Sequence, residues 1–347
     1  MLIAISNSPR DYAWGSSTLL AELEGREAST APEAEVWFGD HPGDPAVTRD
    51  GQTLDAWLAE HRLTPLPYLL KLLAAASPLS IQAHPSTSQA EEGFAREEAA
   101  GIPRDAGHRT YRDANHKPEL IVALSEEFRA LAGLRPLADT RRLFAAIGDA
   151  TAGLASRLDG SEQATIDAIA WLLSDAASAD VRAIIGAAQS ARSEEFAAEL
   201  ALVAALDESY PADAGIVVAL LMNLVTLGRG EGLFVPAGVL HAYLGGLGVE
   251  LMAASDNVMR GGLTPKHIDV DELVRVLDPA PGLEPRLAAA PIGEGLVRFD
   301  AGVPDFALLR AQVTTAGRTA VPLEGAAIVV VTQGELDVRG AASGETV

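Results

Sequence analysis

Gln82 and His84 are the first residues in the chain whose types and spacing suggest metal binding. They lie in an apolar run, 79–84, that is typical of a strand, where positions two apart project from the same face. An amide oxygen and an imidazole on one face can act as two ligands of the same ion. The alternative is a surface histidine that bonds to a polar neighbour.

The segment 116–119 is the second candidate, because it joins an imidazole, an ammonium, a proline and a carboxylate in consecutive positions. It directly precedes the apolar run 120–124. Pro118 restricts the backbone and favours an extended approach to that strand. The alternative, a solvated charged loop, explains poorly why these charges stand at the start of a buried strand. The quartet is therefore a candidate for chemistry.

His241 is the third candidate, because it follows the apolar run 234–240. We expect it to be buried, either as a core histidine bonded to a backbone carbonyl or as a metal ligand. Two imidazoles, one carboxylate and one amide would then be available, from His84, His241, Glu119 and Gln82. Such a set suits zinc with an open position for water or substrate. The chain has no cysteine, which excludes sulfur ligands.

The polar segment 255–266 is punctuated by two glycines that follow Arg260. Glycine lets the backbone approach a ligand closely, and Arg260 and Lys266 can donate to anionic oxygens. The alternative is an ordinary turn between a strand and a helix. The segment is therefore a candidate for binding an anionic substrate.

The composition excludes several classes of function. The chain has 347 residues, and its 26 basic and 48 acidic side chains give a net charge of −22. This balance argues against nucleic acid and anionic membranes as partners. No apolar run approaches the roughly 18 residues that a membrane span needs, and the N-terminus does not resemble a signal peptide. We expect a cytoplasmic protein.

Lysine is rare in this chain. It occurs only at Lys71, Lys117 and Lys266, and the other 23 basic residues are arginines. Because arginine serves wherever a surface cation is needed, the three lysines are candidates for positions that require a compact ammonium. The alternative is biased codon usage with three unselected lysines.

Two β-rich ends enclose an Ala- and Leu-rich helical block. Alternation and turn residues predict strands at 35–39, 79–84, 120–124, 232–238, 240–244, 248–252, 306–313 and 327–332, and a strand, a glycine turn and a second strand within 332–338. Helical spacing predicts helices at 54–61, 88–100 with Ser88 as N-cap, 140–147, 162–173, 179–188, 193–206, 215–227 and 271–277. Short strands joined by glycine and proline turns favour jelly-roll sandwiches.

The predicted fold class is therefore mainly β with an α-helical insertion. We predict a discontinuous catalytic domain formed by 1–135 and 229–280, a helical insertion domain at 136–228 and a C-terminal β domain at 281–347. The sequence ends at 344–347, directly after a segment whose pattern is typical of only half of a β unit. An unpaired edge strand is a liability, so we expect that the C-terminal domain is truncated or that another element closes its edge.

Five segments in order resemble type I mannose-6-phosphate isomerases. They are NSPRDYAWGS at 7–16, EVWFGDHP at 35–42, PLSIQAHP at 78–85, NHKPEL at 115–120 and SDNVMRGGLTPK at 255–266. The resemblance implies a cupin-like jelly-roll catalytic domain, a helical domain and a C-terminal jelly-roll domain. It also implies one zinc ion per chain and the reversible interconversion of mannose 6-phosphate and fructose 6-phosphate through a cis-enediol.

The resemblance also implies roles for individual residues. The family's metal ligands fall on Gln82, His84, Glu119 and His241. Its active-site arginine falls on Arg260, and the other catalytic candidates are His116, Lys117 and Asp256. Either His116 or Asp256 would transfer the proton, while Lys117 and Arg260 would stabilise the enediolate. Substrate binding is expected from Lys71, Ser80, Glu250 and Lys266, and the phosphate could be held by Lys71, Lys266 or Arg260.

Two other classes remain open at this stage. A metal-binding cupin with two histidines and a carboxylate can be an Fe(II) oxygenase, against which a fourth ligand, Gln82, counts. A regulatory cupin would bind the sugar phosphate without converting it, against which Arg260 and the pair His116 and Lys117 count. Within the isomerase class we expect a monomer.

Overall fold

Short strands make up both ends of the chain, and helices fill the middle. The structure, a computed structural model, describes residues 1–282, 284–314, 317–321, 323, 325–340 and 346. Within these residues the strands are β1 (Ile5–Ser6), β2 (Glu35–Phe38), β3 (Val47–Thr48), β4 (Tyr68–Ala75), β5 (Ile81–Ala83), β6 (Glu119–Ala123), β7 (Phe128–Leu134), β8 (Met222–Leu227), β9 (Gly232–Val235), β10 (His241–Ala253), β11 (Met259–Gly262), β12 (Arg286–Leu287), β13 (Ala290–Gly293), β14 (Leu296–Phe299) and β15 (Leu308–Ala311). The helices there are α1 (Leu19–Leu23), α2 (Leu54–Glu60), α3 (Thr87–Ala99), α4 (Leu137–Ile147), α5 (Ala152–Ala155), α6 (Glu162–Leu172), α7 (Ser178–Ser190), α8 (Ala197–Ser209), α9 (Gly215–Leu220) and α10 (Val270–Val276), with single 3-10 turns at Asp149–Thr151 and Asp175–Ala177.

The long strand β10 organises an antiparallel sandwich. Its second half pairs with β4 on one side and with β6 on the other. Its first half pairs with β7, and His241 pairs with Gln82 of β5. The register shifts between Tyr243 and Gly245, where an irregularity lets the strand pass from one layer to the other. Two predicted strands, 240–244 and 248–252, are thus one strand.

Side chains of both layers meet in a common core. One buried cluster contains Leu73 of β4, Ile121 of β6, Phe128 of β7 and Val225 of β8. Two antiparallel layers that share a core and exchange a strand form a jelly-roll sandwich. The predicted fold class is confirmed.

The helices α4 to α9 follow one another between the two β-rich parts and pack through a large apolar cluster. The predicted helix 215–227 is wrong beyond its first half, because α9 ends at Leu220 and β8 pairs with β7. Periodicity alone cannot separate a buried helix from a buried strand in one continuous apolar run. The exact boundaries of the three domains stay a prediction.

The start of α3 lies earlier than predicted. Ser86, not Ser88, is the N-cap, and its hydroxyl accepts a hydrogen bond from the backbone of Gln89. The Gln89 side chain in turn accepts from the Ser86 backbone at 2.9 Å, which completes a capping box. This cap fixes the chain directly after His84.

The C-terminal part contains a three-stranded antiparallel sheet of β13, β14 and β15. Strand β15 confirms the centre of the predicted strand 306–313. The predicted strand 327–332 and the two short strands predicted on either side of a glycine turn in 332–338 are wrong, because no strand forms there. Val329 and Val331 are exposed while Ile328 and Val330 pack against apolar clusters, so the alternation marks an extended segment. A strand also needs a partner, and no described segment pairs with this one.

The C-terminal part packs against the sandwich through aromatic residues. Phe299 and Phe306 are buried in one cluster with Leu120 of β6 and Leu251 of β10. Three of the four terminal residues, Gly344, Glu345 and Val347, on which the expectation of a truncated domain rests, lie outside the described residues. Among the helices that the structure describes, none has the length and apolarity that crossing a membrane requires.

Close packing of Gly93 against Tyr111 generates a prediction for stability. A Cβ at Gly93 would lie 2.4 Å from the Tyr111 ring, whose hydroxyl donates to Glu272 at 2.9 Å. We expect Gly93→Ala to lower the free energy of unfolding by about 1–3 kcal/mol through overpacking. The matched control is Gly186→Ala in α7, where a Cβ meets no atom within 4 Å. The control should stabilise by about 0.5–1 kcal/mol.

Urea denaturation of both variants beside the wild type measures this difference. Equal unfolding midpoints for Gly93→Ala and the wild type would show that the Tyr111 ring moves aside without loss of stability.

Candidate functional site

Three side chains that could ligate a metal ion converge inside the sandwich. His84 directly follows β5, Glu119 begins β6 and His241 begins β10. Oε1 of Glu119 lies 3.1 Å from Nε2 of His84, and its Oε2 lies 3.2 Å from Nε2 of His241. One ligand atom from each of the three buried residues lies within 4.8 Å of the others. This spacing suits donors to a single metal ion.

The two layers of the sandwich supply these ligands separately. Glu119 pairs with Val235 and Met252 in the first layer. His241 pairs with Gln82 in the second layer. The carboxylate and the imidazole therefore meet across the interior between the layers, and the bend of β10 sets their separation.

Backbone carbonyls fix the tautomers of both histidines. Nδ1 of His84 donates to the Asn257 carbonyl at 2.7 Å, and Nδ1 of His241 donates to the Val239 carbonyl at 3.2 Å. A carbonyl can only accept, so Nδ1 carries a proton, and in the neutral imidazole each Nε2 presents a lone pair. Nε2 of His84 is buried without a hydrogen-bond partner among the described residues. Lone pairs that face the Glu119 carboxylate repel it unless a cation lies between them, so the donor set fits a metal ion.

The local charges keep the cluster in the form that binds metal. Burial above all, with the Lys117 charge, lowers the pKa of His84 to about 4. Burial would raise the pKa of Glu119, but nearby positive charge, led by Lys117, holds it well below its usual range. Nζ of Lys117 lies 2.9 Å from Oε1 of Glu119. Neutral imidazoles and a charged carboxylate are the protonation states of metal ligands.

Gln82 lies next to this cluster. It is half-buried in β5, opposite His241 on one side and Arg260 of β11 on the other. Its position in the strand pairing agrees with that of a fourth ligand. Its role as a ligand stays a prediction.

Three cations lie close to one another, and one of them, Arg260, pairs with Gln82 across β11 and β5. Burial lowers the pKa of Arg260 and of Lys266, and the charge of Arg112 lowers both further. Within the part of the chain that the structure describes, Arg112, Arg260 and Lys266 form no ion pair. Unneutralised cations that repel one another favour an anionic ligand. No sequence signal singled out Arg112, which is one arginine among 23.

Lys71 belongs to a different group. It pairs with Glu250 across β4 and β10, and its Nζ lies 2.9 Å from Glu250 and 3.6 Å from Glu35. Burial would lower the pKa of Lys71, but these carboxylates raise it above its usual value. The Trp37 ring lies 5.1 Å from the ammonium. The charge of Lys71 is therefore already neutralised. Ser80 is half-buried before β5.

Each proton-transfer candidate has a side-chain partner. Nε2 of His116 lies 2.8 Å from Oδ2 of Asp305. Oδ1 of Asp256 lies 3.4 Å from Nε2 of His41. The hydrogen bond from His41 is the main reason why the pKa of Asp256 lies below its usual value. Neither partner was predicted from the sequence: His41 lies inside the quoted segment 35–42, whereas Asp305 carries no local signal.

Asn257 ties the two loops of the site together. It is fully buried, and its side chain accepts from the Arg112 backbone at 2.7 Å. The same amide donates to the carbonyls of Asp113 and Asn115 at 2.9 Å each. Its own carbonyl orients His84. The Asn257 side chain thus holds the loop before β6 against the loop before β11, and the Asn257 backbone orients a metal-ligand candidate.

Known proteins resemble this chain over most of its length. A family model described as phosphomannose isomerase type I, catalytic domain, matches residues 2–137. The chain is 37% identical over 354 residues to mannose-6-phosphate isomerase of Salmonella typhimurium. The aligned region covers 96% of this chain and 89% of the Salmonella protein. It is 31% identical over 380 residues to the Homo sapiens protein of the same name, with 95% and 87% covered.

Solved structures also resemble this fold over most of the chain. The crystal structure of the Salmonella typhimurium mannose 6-phosphate isomerase bound to its substrate, fructose 6-phosphate, and a zinc atom matches with a TM-score of 0.78 at 37% identity. The match covers 87% of this chain and 81% of that chain. A zinc-bound holo structure of a mannose 6-phosphate isomerase matches with the same TM-score, identity and coverage.

The position of Asn257 generates a prediction for metal affinity. Asn257→Ala keeps the carbonyl that orients His84 but releases the loop that carries it. We expect the free energy of unfolding to fall by about 1–3 kcal/mol. We expect Zn²⁺ affinity, measured by titration of metal-free protein, to fall by about 10- to 100-fold.

The matched control is Thr151→Val in the helical block. The buried Thr151 hydroxyl donates to the carbonyls of Phe144 and Gly148 at 3.1 and 2.8 Å. This variant should lose about 1 kcal/mol of stability and bind Zn²⁺ normally. Normal Zn²⁺ affinity in Asn257→Ala would contradict the positioning role.

Proposed function

Because the chain belongs to the type I phosphomannose isomerase family, we propose that it is a zinc-dependent isomerase that interconverts mannose 6-phosphate and fructose 6-phosphate. The observation that carries the proposal is the convergence of His84, His241 and Glu119, with two lone pairs facing one carboxylate. Gln82 adds an amide oxygen beside them. This set of nitrogen and oxygen donors without sulfur suits Zn²⁺.

The reaction moves two protons within an open-chain sugar. The aldose loses a proton from C2 and gains one at C1, while the hydroxyl proton at O2 passes to O1. Zinc, when bound, polarises the carbonyl and hydroxyl oxygens of the sugar as a Lewis acid. His116 and Asp256 are the side chains proposed to move the carbon-bound proton. A positioned base of this kind contributes about 10²- to 10⁴-fold to the rate.

Positive side chains stabilise the negative charge that develops on the enediolate oxygens. Lys117 is buried against Glu119 and reaches the metal ligands themselves. Arg260 lies in β11, opposite Gln82 of the adjacent strand. Fixed cations in a site shielded from water act more strongly than solvated ones.

We assign the phosphate to Arg112, Arg260 and Lys266. These three cations lie close enough to lower the pKa values of Arg260 and Lys266, and none of them forms an ion pair among the described residues. Lys71 is less suited, because Glu250 and Glu35 already balance its charge. The proposed role of Lys71, Ser80 and Glu250 is to line the sugar end of the pocket.

The alternatives fit less well. An Fe(II) oxygenase needs no fourth protein ligand, whereas Gln82 lies beside the cluster. A regulatory cupin would bind the sugar phosphate without turnover. The curated relatives with over 30% identity across most of the chain are isomerases, which supports catalysis.

We also propose a monomer in the cytoplasm that binds neither nucleic acid nor membranes. The net charge of −22 supports the exclusion of polyanionic partners. Analytical ultracentrifugation and cell fractionation would test the oligomeric state and the location.

Metal removal tests the proposed function directly. We expect dialysis against a chelator to abolish the conversion of mannose 6-phosphate to fructose 6-phosphate in a coupled assay, and added Zn²⁺ to restore it. His84→Asn should lose both bound zinc and activity. The matched control is His61→Asn, an exposed histidine at the end of α2, which should keep both. Full activity in protein that contains no metal would refute the zinc proposal.

Substitutions of the three cations test the phosphate assignment. We expect Arg112→Ala and Lys266→Ala to raise KM for mannose 6-phosphate about 10- to 100-fold, because each removes a charge-assisted hydrogen bond worth roughly 1.5–3 kcal/mol. Arg260→Ala should also lower kcat by about 10²-fold or more, since Arg260 faces the developing charge as well.

The matched control is Arg229→Ala, which removes an exposed arginine paired with Glu126. Inhibition by inorganic phosphate should weaken in parallel with the rise in KM. Unchanged KM and phosphate inhibition in Arg112→Ala would remove Arg112 from the phosphate site, and near-normal turnover of Arg260→Ala would make that residue structural.

A further inference from the structure

Asp305 lies in the C-terminal part of the chain, yet its carboxylate contacts a catalytic candidate of the first part. Its Oδ2 lies 2.8 Å from Nε2 of His116, and the two side chains are only 12% and 20% exposed. A charged carboxylate accepts hydrogen bonds, so Nε2 of His116 carries a proton. In the neutral imidazole Nδ1 then presents its lone pair. No residue in the described ranges bonds to Nδ1, which leaves it available to a substrate.

Both members of this pair are held next to strand β6. Phe306, the neighbour of Asp305, is buried in the cluster that contains Leu120 of β6. His116 lies three residues before β6. The backbone of His116 also donates to the Asn115 side chain at 3.1 Å. The contact is therefore anchored from both sides.

Asp256 is held in a different state. The Gly43 backbone donates to Nδ1 of His41 at 3.1 Å, so Nε2 of His41 carries the proton that faces Asp256. The carboxylate of Asp256 is 47% exposed and already accepts this hydrogen bond. A solvated carboxylate that is stabilised in its charged form is a weak base.

We propose that Asp305 is a positioning residue that holds His116 with its proton on Nε2, so that Nδ1 of His116, rather than Asp256, takes the C2 proton of mannose 6-phosphate. This inference rests on the proposed isomerase function. A carboxylate that orients an imidazole base in this way is known from hydrolases.

The proton transfer balances without a further reactant. The C2–H bond breaks, its proton passes to Nδ1, its electron pair forms the C1–C2 double bond, and the π electrons of the C1 carbonyl move onto O1. The O2 hydroxyl proton is transferred to O1, so that O2 becomes the carbonyl oxygen on C2, and the electron pair of the C1–C2 double bond takes the proton back from Nδ1 at C1.

Asp305→Asn tests the inference, because the amide keeps the shape but can donate to Nε2 and favour the wrong tautomer. We expect kcat to fall about 10- to 100-fold, a part of the ~10²–10⁴-fold that a positioned base supplies, while KM changes less than about twofold. The kinetic isotope effect with C2-deuterated substrate should rise, and Asp305→Glu should restore part of kcat. The matched control, Asp300→Asn, changes an exposed aspartate of the same loop and should leave kcat and KM unchanged.

The tautomer of His116 is measured independently of activity by ¹⁵N NMR of histidine-labelled protein, with His116→Gln to identify its signals. Wild-type protein should show the Nε2–H form, and Asp305→Asn should reduce it. An Nδ1–H form in the wild type would overturn the inference even if Asp305→Asn were inactive or misfolded. A kcat within twofold of wild type in Asp305→Asn, or a rise in KM alone, would also overturn it. Wild-type protein with zinc but without isomerase activity would instead refute the proposed function, while the NMR result would still decide the tautomer.

Discussion

The burial of one carboxylate, Glu119, is the constraint on which the rest of the site depends. A buried charge costs several kcal/mol unless it is balanced, and removal of one partner exposes the full penalty. Lys117 supplies one positive partner at 2.9 Å. The lone pairs of His84 and His241 face the Glu119 carboxylate, and a cation between these three groups would supply the second positive partner. The carbonyls that fix the two tautomers are therefore as necessary as the ligands themselves.

The acidity of the chain makes the placement of its few lysines informative. A net charge of −22 slows the approach of an anionic substrate, so the pocket must be positive locally. Lys117 and Lys71 neutralise buried carboxylates, Glu119 in one case and Glu250 with Glu35 in the other. Lys266 alone among the three remains without a described carboxylate partner. Arginines therefore carry most of the proposed phosphate binding.

Local pattern predicted most elements, and it failed where tertiary contacts decide. The segments around His84 and Glu119 were predicted as strands because turns bound short apolar runs. The segment 215–227 was predicted as one helix, because its apolar run contains no turn residue that separates α9 from β8. The segment 327–332 alternates like a strand but has no described partner. The four proposed metal ligands came from residue type and spacing, and from family resemblance.

Residues that contact catalytic candidates from distant positions in the sequence cannot be predicted from local sequence patterns. Arg112 is one arginine among 23, and Asp305 lies 189 positions after His116 without a motif around it. The packing of Phe299 and Phe306 in one cluster with Leu120 of β6 brings that carboxylate to the site. The C-terminal part is therefore more than a support for the sandwich. Its aromatic contacts fix the distance between Asp305 and His116. The tautomer of the proposed base therefore depends on how this part packs against the sandwich.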